Sequence, residues 1–378
     1  MSQAPDSGGP KEVSALQKHP CPECGGESVW NPAKQSLVCP YCGAIVPGEL
    51  KTDGSSIAEH DLAAALRNVP AAGRGWKAEK ISVKCQSCNA ISVFDPGRAA
   101  QRCDFCGSPS IVPYEETKDP ISPESLLPIK LTDTAVRDSL RGWYSTRWFA
   151  PNRLKQAALT DTLKGVYLPY WTFDAQARSD WTAESGYYFY EEESYRDANG
   201  NLQTRQVQRT RWEPSAGSVE NFFDDELVCG SVGVNRELLR KIEPFPTTKE
   251  LVPYDASYIR GWIVERYQLD LGLAAQRSEQ VMNSEMQTLC ARQVPGDTHR
   301  NLSVSTRYAD RTFKHVLLPI WLVAYTYGAR NFQVLVNGYT GAIAGQRPYS
   351  WVKITLAVLM LLAGLGIAAV IAMIASQH

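Results

Sequence analysis

Eight of the ten cysteines stand in four Cys-x-x-Cys pairs ahead of residue 110, a spacing that belongs to metal chemistry. Cys21/Cys24 with Cys39/Cys42 make one set and Cys85/Cys88 with Cys103/Cys106 a second, with fourteen residues between the pairs in both. A Cys-x-x-Cys turn aims two thiolates at one point, and two such turns across a short hairpin complete the tetrahedron that Zn²⁺ accepts. Four thiolates leave no open position for water or substrate, so the expected cofactor is two structural zinc ions rather than a catalytic one. Disulfides are the competing reading. Metal-site spacing favours thiols kept reduced in a cytosolic setting, and Met1 to Lys18 is polar, without the apolar stretch of a signal peptide. Structural zinc contributes about 10–16 kcal/mol to mini-domains that have almost no apolar core of their own.

The sets are copies of one unit. Adding 64 takes Val29-Trp30-Asn31-Pro32 to Val93-Phe94-Asp95-Pro96, and Tyr41-Cys42-Gly43 to Phe105-Cys106-Gly107. The glycine after the last cysteine suits a tight turn at the metal, and the aromatic at 30 or 94 can pack over the site. Residues 1–120 carry 12 Lys and Arg against 14 Asp and Glu, and each Zn²⁺ held by four thiolates makes the region more negative. Phosphate contacts rest on clustered Lys and Arg, so this charge argues against nucleic acid and for a protein partner.

The elements that position these cysteines follow from pattern. Ala58 to Val69 reads as a short linker helix with Leu62, Leu66 and Val69 on one face, capped by Asp53, Ser55 or Ser56 and ended by Pro70. Beyond residue 120 the chain alternates helical and strand-like runs. Asp133–Trp148 predicts a helix with Val136, Leu140, Trp143 and Tyr144 on its apolar face. Ala274–Val294 predicts another, with Val281, Met282, Met286, Leu289 and Cys290 on one side. Strands are expected at Val166–Ala177, Leu302–Tyr308, Val316–Tyr327 and Phe332–Val336, the last closed by the hairpin dipeptide Asn337-Gly338. Glu191, Glu192 and Glu193 flank Asn199-Gly200 opposite Arg205, Arg209 and Arg211, which suits facing strands with cross-strand charge pairs.

A looser repeat matches Leu127-Pro128-Ile129, Arg141-Gly142-Trp143 and Leu168-Pro169-Tyr170-Trp171 with Val252-Pro253-Tyr254, Arg260-Gly261-Trp262 and Leu318-Pro319-Ile320-Trp321. It describes two related helix-plus-antiparallel-sheet units. The phosphate-binding loop, the Gly-x-Ser-x-Gly elbow and the His-Glu-x-x-His helix do not occur, and His299 and His315 are isolated, so no enzyme is expected. Arg137, Arg141, Arg147, Arg153 and Lys155 with Trp143 and Trp148 read as a solvated helix face, with phosphate or lipid headgroups as the sharper alternative. Cys229 and Cys290 read as small buried hydrophobes.

Ile354 to Ala375 is a run of 22 residues without a charge, about 33 Å as a helix, which matches a bilayer core. Arg347 and Lys353 precede it, so the expected topology is a single-pass inner-membrane protein with its N-terminal bulk in the cytoplasm. Trp351 and Tyr349 fit as interfacial anchors. Gly364, Ala368 and Ala372 form a small-residue stripe on which a second copy can pack, making an oligomer through this helix an open option.

Paired Cys-Pro-x-Cys-Gly ribbons, Leu-Pro-Tyr-Trp and Leu-Pro-Ile-Trp strands and a C-terminal span together resemble a family of bacterial tail-anchored double zinc-ribbon membrane proteins. These often bear the label primosomal protein N′ (replication restart helicase)-like. The label rests on motifs such as Cys21-Pro22-Glu23-Cys24-Gly25 and Cys39-Pro40-Tyr41-Cys42-Gly43, and without a nucleotide loop the motor activity does not carry over. The resemblance implies association with SPFH (band 7) or phage-shock-type scaffold proteins. The expected fold class is α+β: a disordered tail (1–18), zinc ribbon one (19–48), a linker with a short helix (49–80), zinc ribbon two (81–114), a mixed helix and antiparallel-sheet domain (120–350) and a transmembrane helix (352–375). The expected function is a non-enzymatic membrane adaptor recruiting cytosolic proteins. The alternative is a membrane-tethered nucleic-acid-binding protein of DNA replication.

Overall fold

The computed structural model describes residues 20–46, 57–67, 81–94, 102–114, 121–147, 163–196, 200–327, 330–346 and 350–375. The tail, Asp53, Ser55, Ser56, Val69, Pro70, Trp148, Arg153, Lys155, Arg347 and Tyr349 lie outside them, and the side chains of Phe94 and Trp351 are likewise not described. The architecture is α+β: two four-cysteine clusters near the N-terminus, mixed sheet with helices, and an apolar C-terminal helix.

Ribbon one is a small sheet of β1 (Val29–Asn31), β2 (Ser36–Val38) and β3 (Ile45–Val46). The short strand β4 (His60–Asp61) leads into a helix over Leu62–Arg67. That helix starts later than the expected Ala58, because Asp61 ends the strand and accepts the Ala64 backbone N–H as its cap. Leu62 and Ala65 are its buried residues, while Leu66 is exposed. Ribbon two contributes β5 (Ile81–Cys85), β6 (Ile91–Phe94) and β7 (Ile111–Pro113) to the main sheet.

The main sheet is completed by β8 (Ser125–Leu126), β9 (Leu163–Arg196), β10 (Leu202–Cys229), β11 (Val252–Pro253), β12 (Ile263–Glu265), β13 (Thr298–Tyr327), β14 (Arg330–Asn337) and β15 (Ile343–Gly345). At its base the order runs β11-β8-β13-β9-β12-β6-β5-β7, so ribbon two extends the sheet through the antiparallel pairs Val264↔Val93 and Glu265↔Ser92. The strands expected at 302–308 and 316–327 are one strand. Bulges at Arg300/Ser303 and Ala309/Thr312, where Asn301 and Asp310 take positive φ, keep β13 running past its polar stretch.

Side-chain alternation explains the length of β9. Phe173, Ala175, Ala177, Trp181 and Ala183 are buried on one face, and Gln176 and Arg178 are exposed on the other. The buried face is covered by the helix Leu271–Gln293 through Ala274, Ala275, Met282, Met286 and Cys290. It starts before the expected Ala274 because Asp270 caps it, accepting the Leu273 N–H at 2.9 Å, and Val281 of its expected apolar face is exposed. The helix Asp133–Ser145 is capped by Thr132 and buries Val136, Leu140 and Tyr144; Arg137 and Arg141 pair with Asp133 and Asp138 on its outer face.

Past Gly186, which faces Thr298 at the start of β13, strand β9 pairs with β10 alone. In this projecting hairpin Arg209 meets Glu191 at 2.6 Å and Arg205 meets Glu193 at 2.7 Å, the cross-strand pairs that the charge pattern implies. Asn337-Gly338 does not close a two-residue turn. Asn337 instead organises a longer loop to β15, its Oδ1 accepting from the Tyr339 and Thr340 N–H groups at 2.9 Å each.

The main chain of the two halves is bonded in matching ways, at residues other than most of those the sequence match pairs. Strand β8 runs parallel to β13 (Ser125↔Val316, Leu126↔Leu317), and β12 runs parallel to β9 (Ile263↔Val166, Val264↔Tyr167). Leu168 faces Leu318 at the centre of this exchange. Trp171 donates its indole N–H to the Leu269 carbonyl at 2.9 Å, and Trp321 donates to Leu131 at 3.2 Å, each carbonyl lying just before the cap of a long helix. The Gly230 N–H donates to Pro169 and the Gly338 N–H to Pro319, while the two glycine carbonyls accept from Leu269 and Leu131 at 3.1 Å. Each half is therefore bonded to the helix start of the other. Only the Leu-Pro-x-Trp pair of the sequence match stands at equivalent places. Arg141-Gly142-Trp143 lies inside a helix and Arg260-Gly261-Trp262 in a turn, because the repeat is carried by main-chain bonding that many side chains can satisfy.

Candidate metal centres and the apolar helix

Each cysteine pair sits on the same backbone device. The N–H of the first cysteine donates to the carbonyl five residues on (Cys21 to Gly26, Cys39 to Ala44, Cys85 to Ala90, Cys103 to Ser108), and its own carbonyl accepts from the fourth residue on. That fourth residue has a left-handed backbone: Gly25, Gly43 and Gly107 with φ of 71°, 75° and 73°, and Asn89 with φ of 60°. Glycine takes this conformation freely and asparagine tolerates it, so four different sequences close the same loop. The sequence reading recognised Gly43 and Gly107. Gly25 carries the same signal, whereas Asn89 is found only once the loop's hydrogen bond is known.

The loops bring the predicted ligands together in two groups, Cys21, Cys24, Cys39 and Cys42, then Cys85, Cys88, Cys103 and Cys106. Within each group all sulfurs lie within 4.8 Å of one another. The Sγ atoms of Cys21 and Cys42 are 3.4 Å apart, those of Cys24 and Cys39 3.5 Å, and both cross-pairs of the second group 3.6 Å. A tetrahedron with metal–sulfur bonds of about 2.3 Å has edges of about 3.8 Å, so both groups match such a site in size and donor type. The backbone N–H of Cys42 helps hold the Cys39 thiol down to about 7, and the Cys88 thiol, as hydrogen-bond partner, holds Cys103 down to about 5. Burial pushes Cys106 up to about 11. Four crowded thiols cannot all ionise by themselves; a divalent cation at the centre removes that conflict.

The ribbons are seated differently. Ribbon one docks through its sheet, with Trp30, Leu37 and Val46 in the body's core and the Trp30 ring 4.6 Å from that of Tyr258. Trp30 thus packs on the body. Ribbon two docks through its cysteine loops: Cys85, Ala90, Cys103 and Phe105 are buried, and Asp104 pairs with Lys164.

A third group, Asp174, Asp224 and Asp225, was not foreseen from sequence, since it forms only where a bulge gives Asp225 a φ of 57°. The Lys314 ammonium lies 2.9 Å from Asp225 and 3.1 Å from Glu59 and so supplies the positive charge there. His299 is exposed on β13. His315 is fully buried, its Nδ1 2.9 Å from the Ile121 carbonyl and its ring 4.8 Å from Trp171; burial lowers its pKa and keeps it neutral. Cys290 is buried on the inner face of the long helix, and burial pushes the partly covered Cys229 thiol up to about 12.

The helix Trp351–Ala375 contains a stretch, Val352–Ala369, with mean hydropathy 2.2 and no residue buried against the rest of the chain. By length and composition it is able to cross a membrane.

No family model matches the chain, and no solved structure matches it. It is similar, at 23% identity over 249 residues, to the uncharacterized protein YdjG of Bacillus subtilis (strain 168). The match covers 62% of this chain and 66% of YdjG, just under two thirds of that relative's length.

Proposed function

We propose that this chain is a non-enzymatic membrane adaptor: a protein of the bacterial inner membrane, held by the single helix Trp351–Ala375, whose zinc-filled ribbons and α+β body present surfaces to cytosolic proteins. The observation that carries it is the pairing of two closed four-thiolate groups with an apolar helix left bare by the fold. Zn²⁺ is the fitting ion, because four thiolates at tetrahedral spacing suit it and complete its coordination. A closed site holds shape and offers no position for substrate, so the ribbons act by surface. Charge around the span favours a cytoplasmic body. The family resemblance suggests an SPFH or phage-shock-type scaffold as the recruited partner.

The test is deletion of residues 351–378. The expected result is that the protein moves to the soluble fraction with two Zn²⁺ per chain, and that its partner, followed by fluorescence in cells, leaves the membrane with it. An unchanged distribution of every such scaffold would remove the adaptor reading. Steeply salt-dependent DNA binding by the truncated protein would favour the replication reading instead.

A further inference from the structure

The two ribbons are copies that the fold uses in opposite orientations, and each serves as a control for the other. Phe105, in the second Cys-x-x-Cys loop of ribbon two, is 0% exposed, whereas Tyr41, at the same place in ribbon one, is 80% exposed. Cys24 and Cys42 are exposed while their counterparts Cys88 and Cys106 are half-covered. Ribbon one's loop face is therefore the face by which its copy is docked, left open.

What covers that face in ribbon two is defined. Phe105 shares a buried cluster with Val234, Leu238, Leu239 and Ile242, from the short helix Arg236–Ile242 and its approach. The Gln333 amide donates to both the Phe105 and Gly233 carbonyls, at 2.9 and 3.1 Å, and its oxygen accepts the Asn235 N–H at 3.0 Å, tying the helix start to the ribbon. The helix is aliphatic on its buried side and carries Arg236, Arg240 and Lys241 against one acid, Glu237. Glu27 is paired with Arg260 of the body at 3.2 Å, Glu23 and Lys34 balance among the described residues of ribbon one, and a four-thiolate zinc site leaves two negative charges there. The open face presents the Tyr41 ring, with the negative charge of a filled four-thiolate site beside it.

We infer that the loop face of ribbon one, centred on Tyr41, is the docking site for an amphipathic helix of a protein partner bearing aliphatic residues on one side and Lys or Arg on the other. This deepens the adaptor reading and rests on it. Tyr41 is the anchor, a large rigid ring whose burial the partner completes. Ribbon two cannot serve, because its equivalent face is already filled.

The experiment places the photo-crosslinking residue p-benzoylphenylalanine at position 41 of the full-length chain in its own cells, with position 222 as an exposed aromatic control. Crosslinked peptides are identified by mass spectrometry. The expected result is an adduct at 41, at least tenfold above that at 222, mapping to a segment with apolar residues at helical spacing and basic residues between them. Tyr41→Ser should lower recovery of that partner at least tenfold while the protein keeps two Zn²⁺ per chain, and Tyr41→Phe should retain it. Adducts to nucleic acid, to lipid or to a second copy of this chain, or none above the control, overturn the inference. If deletion of residues 351–378 releases the partner from the membrane but position 41 never contacts it, the adaptor reading stands and this docking site falls.

Discussion

At the scale of single residues, each cysteine loop is governed by the backbone of the residue that closes it. Gly107 has open space around its Cα, so Gly107→Ala meets no clash and costs only the left-handed backbone, about 1 kcal/mol. Asn89→Gly should be neutral or a few tenths of a kcal/mol stabilising. Competition for zinc with a chelator, together with thermal melting, reads both. His315 makes a second prediction. An imidazole whose pKa is lowered by burial is left unprotonated in the native state while the unfolded chain takes up a proton near its ordinary value of about 6.5. Stability is therefore fully present above that value and falls as pH drops below it. The melting temperature of His315→Gln should fall less steeply than that of the parent between pH 7 and 5.5, and equal slopes would refute the assignment. The two four-cysteine groups were legible because metal geometry restricts both residue type and spacing. Asp225 and Lys314 were not, since their meeting depends on a bulge that no local pattern announces.

At the scale of elements, the projecting hairpin is a two-stranded ribbon held by backbone pairing and two rows of charge. Such a ribbon is only marginally stable in water alone. Arg209→Glu sets a like charge against Glu191, its diagonal neighbour across the pair, and should speed amide exchange several-fold in residues 187–211, with little change in the rest of β9. The double variant Glu191→Arg/Arg209→Glu should restore protection. Uniform exchange along the whole of β9 in the single variant would show that hairpin and body are one cooperative unit. Helices Asp133–Ser145 and Leu271–Gln293 were readable from apolar periodicity, whereas their starts were set by caps at Thr132 and Asp270. The three longest strands were foreseen only as fragments or, for β10, as one arm of a charged hairpin. Beyond residue 186 both faces of β9 are largely solvated, and hydrophobic alternation, the usual signal of a strand, is absent there.

At the scale of the molecule, the seating of the ribbons separates their fates. Ribbon two belongs to the main sheet through β6 and β12, so Cys85→Ser/Cys88→Ser should raise amide exchange in β12 and in the adjoining start of β9 and lower the melting temperature of the body. Cys21→Ser/Cys24→Ser should unfold ribbon one and loosen the Tyr258–Trp262 turn against which Trp30 packs, leaving β9 and β13 protected. Equal damage to the body from both pairs would contradict this division. The crossed bonding of the two halves also bears on how the chain is made. Strand β9 leaves the ribosome about a hundred residues before β13, a wait of roughly 5–20 s at about 5–20 residues per second. Trp171 has no Leu269 carbonyl to bond until 98 further residues are made, and until β13 follows the aromatic face of β9 stands open to chaperones or to its neighbours on the same polysome. The helix Trp351–Ala375 is translated after both halves, and slowing translation between residues 230 and 298 should increase aggregation more than the same pause placed after residue 327.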